Sequence, residues 1–176
     1  GRNFVNHRRD SRQQKSPTKV LTSESDSFEG IIEESARNIG NVIGKTYQTY
    51  STIIRGLSSN DLKTLSVAKK DVDQLYDEVN ELRNGVFYFL KGRGETSVAS
   101  GRFYISLLGV IFDLVEDLSY LSDVSYQHVN NNHSGLKKSQ IKDLNEIYES
   151  LSSVFKEGIE AFSLQFDEKE FQDVLE

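Results

Sequence analysis

The chain has 176 residues, a formal net charge of −6, 36% hydrophobic and 27% charged residues, one proline and neither cysteine nor methionine. That length suits one domain of ordinary size, and the missing cysteine excludes disulfides, thiolate metal ligands and a cysteine nucleophile. No run approaches the ~18 apolar residues of a membrane span, and the longest apolar block, Ile105 to Val115, is cut by Asp113.

With no methionine, even at position 1, the chain is expected to be a fragment or a processed product. Its charge is uneven. Residues 1–20 hold Arg2, Arg8, Arg9, Arg12, Lys15 and Lys19 against Asp10 alone, a net +5, so the rest carries −11. An acidic body repels nucleic-acid backbones, so no nucleic-acid partner is expected. No apolar core of a signal peptide follows the basic start. Residues 1–23 are polar, without a lasting period, and are expected to form a flexible basic linker, with residues 24–176 as the folded domain. A basic segment ahead of such a domain also fits the cytoplasmic side of a membrane span.

Four segments carry the three- and four-residue apolar steps of an α-helix. The first is expected from about Ser25 to Arg55, through Ile39, Val42, Ile43, Tyr47, Tyr50 and Ile54, with its stop in the Gly56 to Asn60 stretch. Gly40 and Gly44 lie beside the stripe, marking either a close helix crossing or a weak spot. The second is expected from about Asp61 to Lys91, capped by Ser59 or Asn60, through Leu65, Ala68, Val72, Leu75, Val79, Leu82 and Val86. Gly92, Arg93 and Gly94 end it.

The third, from about Ser97 to Val129, carries Phe103, Leu107, Val110, Ile111, Leu114, Leu118 and Leu121. Asn130, Asn131, Asn132, His133, Ser134 and Gly135 then form a polar turn. The fourth runs from about Lys138 to Phe166 through Ile141, Leu144, Ile147, Tyr148, Leu151, Phe155, Ile159 and Phe162, and a last piece, Glu168 to Leu175, extends it or adds one more turn. Short joints force antiparallel neighbours. The expected fold is therefore all-α, an antiparallel up-down bundle of about four long helices, each roughly 45 Å at 1.5 Å per residue. Its interior is expected to be almost wholly apolar, with the hydroxyls of Tyr47, Tyr50, Tyr104 and Tyr148 at the rim.

Two helices carry a further pattern. The second holds Asp73 and Asp77 four apart within DVDQLYDEVNEL, and the third holds Asp113, Glu116, Asp117 and Asp123 within DLVEDLSYLSD. The chain then reads SYQHVNNNH from Ser125 to His133, followed by a helix opening LKKSQI. Over roughly residues 24–166 this resembles the PhoU family of helical phosphate-uptake regulators. It resembles more closely the soluble PhoU-like tail of bacterial sodium/phosphate cotransporter-type membrane proteins. The resemblance implies a non-enzymatic regulatory or interaction domain on the cytoplasmic face of the inner membrane. Its partners would be the transporter domain of the same chain and a second copy of itself.

In PhoU proteins such acidic motifs hold metal clusters. Here Asp117 and Asp123 match the D-L-E-R-I-G-D run, but Ser119 stands where the family has its middle Glu. Asp73, Asp77, Asp117 and Asp123 are therefore the metal candidates, against the commoner use of such carboxylates as a solvated face. No resident cofactor is expected. His128 and His133 lie five apart with no third ligand, so the turn reads as a helix cap. His128, Asn130, Asn131, Asn132 and His133 are the candidates for partner contact. No P-loop or nucleophile elbow occurs, so no catalysis is expected. The alternative is a stand-alone interaction or coiled-coil-type bundle without a transporter.

Overall fold

The computed structural model describes residues 28–90 and 95–163. They form four helices and, among the described residues, no strand: α1 (Phe28–Ser58), α2 (Leu62–Leu90), α3 (Glu95–Asn130) and α4 (Lys138–Ser163). The expected linker, the Gly92 to Gly94 joint and the Glu168 to Leu175 piece lie outside the described residues.

The heptad rows of α2 and α3 set the core. On α2, Leu65, Ala68, Val72, Leu75, Val79, Leu82 and Val86 are all buried. On α3 the buried row is Tyr104, Leu108, Ile111, Val115, Leu118, Ser122, Ser125 and Val129. That row keeps Ile111 and Leu118 of the expected stripe, while Tyr104, Leu108, Val115 and Ser122 are buried in place of Phe103, Leu107, Leu114 and Leu121. Val110, expected inside, is 67% exposed, while Tyr104 is 2% exposed. Both lines of α3 are apolar, so only the neighbouring helices select between them.

Cross-contacts give the directions. Lys45 pairs with Glu78, and Lys69 with Asp123, so α2 runs antiparallel to both α1 and α3. Asn38 reaches Tyr104, near the start of both α1 and α3, so these two run parallel. The helix α4 packs on α1 alone. The bundle is thus a three-helix core with α4 laid along one side of α1, rather than four rods closed around one axis.

The helix ends are set by asparagine geometry. Asn60 has φ 54° and Asn132 has φ 55°. The N–H of Asp61 donates to the Gly56 carbonyl at 2.8 Å, and that of Asn60 to Leu57 at 3.2 Å. The same pair of bonds recurs from His133 to His128 and from Asn132 to Val129. Both are Schellman closures with Asn at the left-handed position. The stop of α1 is therefore Asn60, and Gly56 lies inside the helix. A β-carbon on Gly56 would meet Leu65 Cγ at 2.8 Å, so that glycine permits a close approach of α2.

Asp61, rather than Ser59 or Asn60, caps α2. Its Oδ1 accepts from the N–H of Lys63 at 3.0 Å and of Thr64 at 3.4 Å, and the Thr64 hydroxyl donates to Oδ2 at 2.6 Å. These bonds favour the charged carboxylate and hold it below its usual range. At α4, Gln140 Oε1 accepts from the N–H of Lys137 at 2.9 Å, half of a capping box.

The interior is less apolar than the sequence implies. Ser35, Asn38, Thr46, Thr49, Glu78, Ser122, Ser125 and Ser152 are buried. Tyr104 is not at the rim. Its hydroxyl oxygen accepts from Asn38 Nδ2 at 3.3 Å inside the core. Burial pushes its pKa up to about 12.

Candidate functional site: the bare apolar line of α4

The seam between α1 and α4 is aromatic. Tyr47 lies 6.4 Å from Tyr148 and 5.5 Å from Phe155 between ring centres, and Tyr50 lies 5.7 Å and 6.1 Å from the same two rings. The Tyr148 hydroxyl sits 3.1 Å from Ser51 Oγ and 3.2 Å from the Tyr47 hydroxyl. Those two groups hold Tyr148 below the ordinary phenol range, while burial raises Tyr50. Further along, a β-carbon on Gly40 would lie 3.4 Å from Phe162 Cβ, so α4 crosses close to α1 there. Of the two sequence readings of Gly40 and Gly44, the close crossing holds at Gly40, while Gly44 has open space.

This seam uses only one line of α4. At ~100° per residue, Ile147, Leu151 and Val154 fall about a quarter-turn away from Tyr148 and Phe155. They are 55%, 40% and 65% exposed. The expected inward placement of Ile147 and Leu151 is thus corrected: with α1 as its only neighbour, α4 buries one line and leaves the second uncovered.

The helix α3 also carries a second apolar line. Phe112, Asp123 and Tyr126 face α2: Phe112 lies 5.0 Å from Tyr76, Asp123 pairs with Lys69, and the Lys69 ammonium stands 5.5 Å from the Tyr126 ring centre. By the same count of ~100° per residue, Val110, Leu114 and Leu121 lie on the opposite flank of α3. On α1, Lys45 and Gly56 toward α2 and Asn38 toward α3 fall within about 20° of one line, and Gly40 and Tyr47 toward α4 fall about half a turn away. Of Val110, Leu114 and Leu121, the first is exposed, the second is half-buried and the third packs against the core, so the longer bare line is that of α4. Tyr104 and Phe162 share the level of Asn38 and Gly40 on α1. Counting from them puts Val110 and Val154 at levels about one turn apart along α1.

The carboxylates singled out in the sequence do not converge. Asp73, Asp77 and Asp117 are exposed, and Asp123 is engaged by Lys69. Among the described residues no three histidine or acidic side chains gather where one metal ion would fit. The His128 and His133 rings stack at 5.3 Å between centres, and His128 Nε2 lies 3.1 Å from the Ser134 carbonyl. Asn130, Asn131, Asn132 and His133 are exposed around that closure. Gly135 approaches Asn60, so the two asparagine turns share one end of the bundle. A hollow of about 600 Å³ lies on the outer face of α4, lined by Lys138, Ile141, Glu146 and Glu149 among others. Its lining belongs to α4 alone, so it has no second wall.

No known protein family, curated protein or solved structure matches the chain. No described helix is long and apolar enough to cross a membrane. The bare line of α4 was missed by reading each stripe as wholly inward. The signal was present as apolar lines wider than one neighbour covers, with Ile147 beside Tyr148 and Val110 beside Ile111.

Proposed function

We propose that the chain is a regulatory or interaction module rather than a catalyst. The observation that supports this most is the uncovered line Ile147, Leu151 and Val154 of α4. An apolar line at i, i+4 and i+7 is what one helix presents to another. Contiguous exposed apolar surface of this kind marks interaction sites.

The resemblance of α3 and the HVNNNH turn to PhoU-like tails extends the proposal. The parent is a sodium-dependent phosphate transporter-type protein of the bacterial inner membrane, and the bundle serves it from the cytoplasmic side. Docking of a helix face biases such a partner between two states by its differential affinity for them. The test has two parts. The intact gene should encode several membrane spans upstream of the bundle. Val154→Asp in the intact protein should change phosphate uptake at equal membrane abundance. A gene without spans, or uptake indifferent to that change, removes the transporter reading.

A further inference from the structure

The four helices are not held equally. Every buried apolar side chain among the described residues belongs to α1, α2 or α3. On α4 the buried residue is Ser152, while Leu144, Tyr148, Phe155 and Phe162 are half-buried. Ion pairs tie α2 to α1 and to α3, but that of α4, Lys142 with Glu146, stays within the helix. The hydrogen bonds of Tyr148 across the α1–α4 seam join neutral hydroxyls, its own to those of Tyr47 and Ser51. Water replaces such bonds at small net cost when a seam opens. The helix α4 packs on α1 alone, so lifting it away leaves the α2–α3 interface, with Leu65, Val79, Leu108 and Val115, intact.

We propose that α4 is a strap that lifts from α1 as one unit while α1, α2 and α3 stay folded. Its hinge is the joint of residues 131–137, where every residue but Leu136 is exposed. A few loop residues suffice to absorb such a swing. Segments with little buried apolar surface open at a lower free energy than the core that carries them. Opening bares Tyr47 and Tyr50 on α1 together with Tyr148 and Phe155 on α4, four rings that contact one another in the closed form. The closed form thus hides an aromatic face that only the open form offers to solvent. This device goes beyond the reading of the chain as an interaction module and does not depend on it.

Hydrogen exchange of the full chain, read residue by residue by NMR, tests it. After correction for intrinsic rates, the amides of residues 145–160 should exchange about ten-fold or more faster than the slowest amides of α2 and α3. Two variants separate the units. Tyr148→Ala should speed all of residues 145–160 by about ten-fold and change the slowest amides of α2 and α3 by less than about two-fold. Val79→Ala, at a wholly buried position of α2, should do the reverse. The strap can also be locked at the end far from its hinge. The chain has no cysteine, and a β-carbon on Gly40 would lie 3.4 Å from that of Phe162. That is close to the ~3.5–4.5 Å that a disulfide spans. In Gly40→Cys with Phe162→Cys, oxidation should slow residues 145–160 by about ten-fold, and reduction should reverse it.

Exchange of α4 and the core at one common rate, answering both single variants alike, overturns the proposal, because the bundle is then one cooperative unit. Exchange that slows steadily from Ser163 back to Lys138 also overturns it, since that marks fraying from the end rather than a hinged opening. So does a disulfide that forms and leaves residues 145–160 exchanging as before. If the disulfide does not form, the two single variants still decide.

Discussion

Lys45 of α1 is bound to Glu78 of α2 through both carboxylate oxygens, at 2.7 Å and 2.6 Å. Glu78 is only 9% exposed, while the Lys45 side chain is 37% exposed. The pair sits at a helix boundary where water reaches one partner and not the other. Removing one charge from such a pair strands the other against the core. Because Lys45 can still turn to water, the cost falls below that of a fully buried pair. Glu78→Gln should destabilise by about 1–3 kcal/mol in urea denaturation. Replacing both, Lys45→Met with Glu78→Leu, should recover most of that loss. A Glu78→Gln chain as stable as the parent would show the ion pair to be dispensable.

Two glycines of the same helix should respond in opposite directions. A β-carbon on Gly56 meets Leu65 at 2.8 Å and 2.9 Å, and Leu65 is wholly buried and has no room to yield. Gly56→Ala should therefore cost about 1–2 kcal/mol despite the better helix propensity of alanine. A β-carbon on Gly44 meets nothing within 4 Å. Gly44→Ala should stabilise by about 0.5–1 kcal/mol. Thermal melts of the two variants decide it, and shifts of the same sign would contradict the close α1–α2 contact.

Tyr104 makes stability depend on alkaline pH. Its phenol is pushed up to about 12 in the folded chain, against an ordinary value of 10.0. Between those values the folded chain keeps a proton that the unfolded chain has released. Stability from this group is thus complete below pH 10 and declines as pH rises toward 12. The full loss is about 2–3 kcal/mol at 1.36 kcal/mol per pKa unit. Tyr50 is raised as well and adds to the decline in the same direction. Urea midpoints measured from pH 8 to pH 11.5 should fall, and Tyr104→Phe should flatten the fall while costing about 1 kcal/mol at pH 8 through the lost Asn38 bond. An unchanged alkaline slope in Tyr104→Phe would place the titrating phenols elsewhere.

The asparagine stops give a fourth expectation. Asn60 and Asn132 occupy left-handed backbone at φ 54° and 55°. A residue with an ordinary side chain costs about 1–2 kcal/mol there, while glycine costs none of it. Asn60→Ala should destabilise by about 1 kcal/mol, and Asn60→Gly should hold or slightly raise stability. Chemical denaturation of the pair reads this directly, and equal effects would argue against the Schellman closure of α1.

Much of the fold can be read along the chain. The three- and four-residue apolar steps place α2 and α4 within a residue or two at the ends the structure describes, and the Asn130 to Gly135 turn closes α3 where its composition says. These features depend on neighbours a few residues apart, so local chemistry determines them. The buried line of α3 is different. Phe103, Leu107 and Leu114 form one apolar row and Tyr104, Leu108 and Val115 another, and nothing local ranks them. Packing against the buried face of α2, and the Asn38 bond from α1, turn the second row inward. The site was least legible for the same reason. A stripe on α4 says that something must cover it, but not what. Only the packed structure shows α1 covering Tyr148 and Phe155 and leaving Ile147, Leu151 and Val154 bare. Helical period belongs to a single segment, whereas coverage depends on helices that meet across a hundred residues of chain.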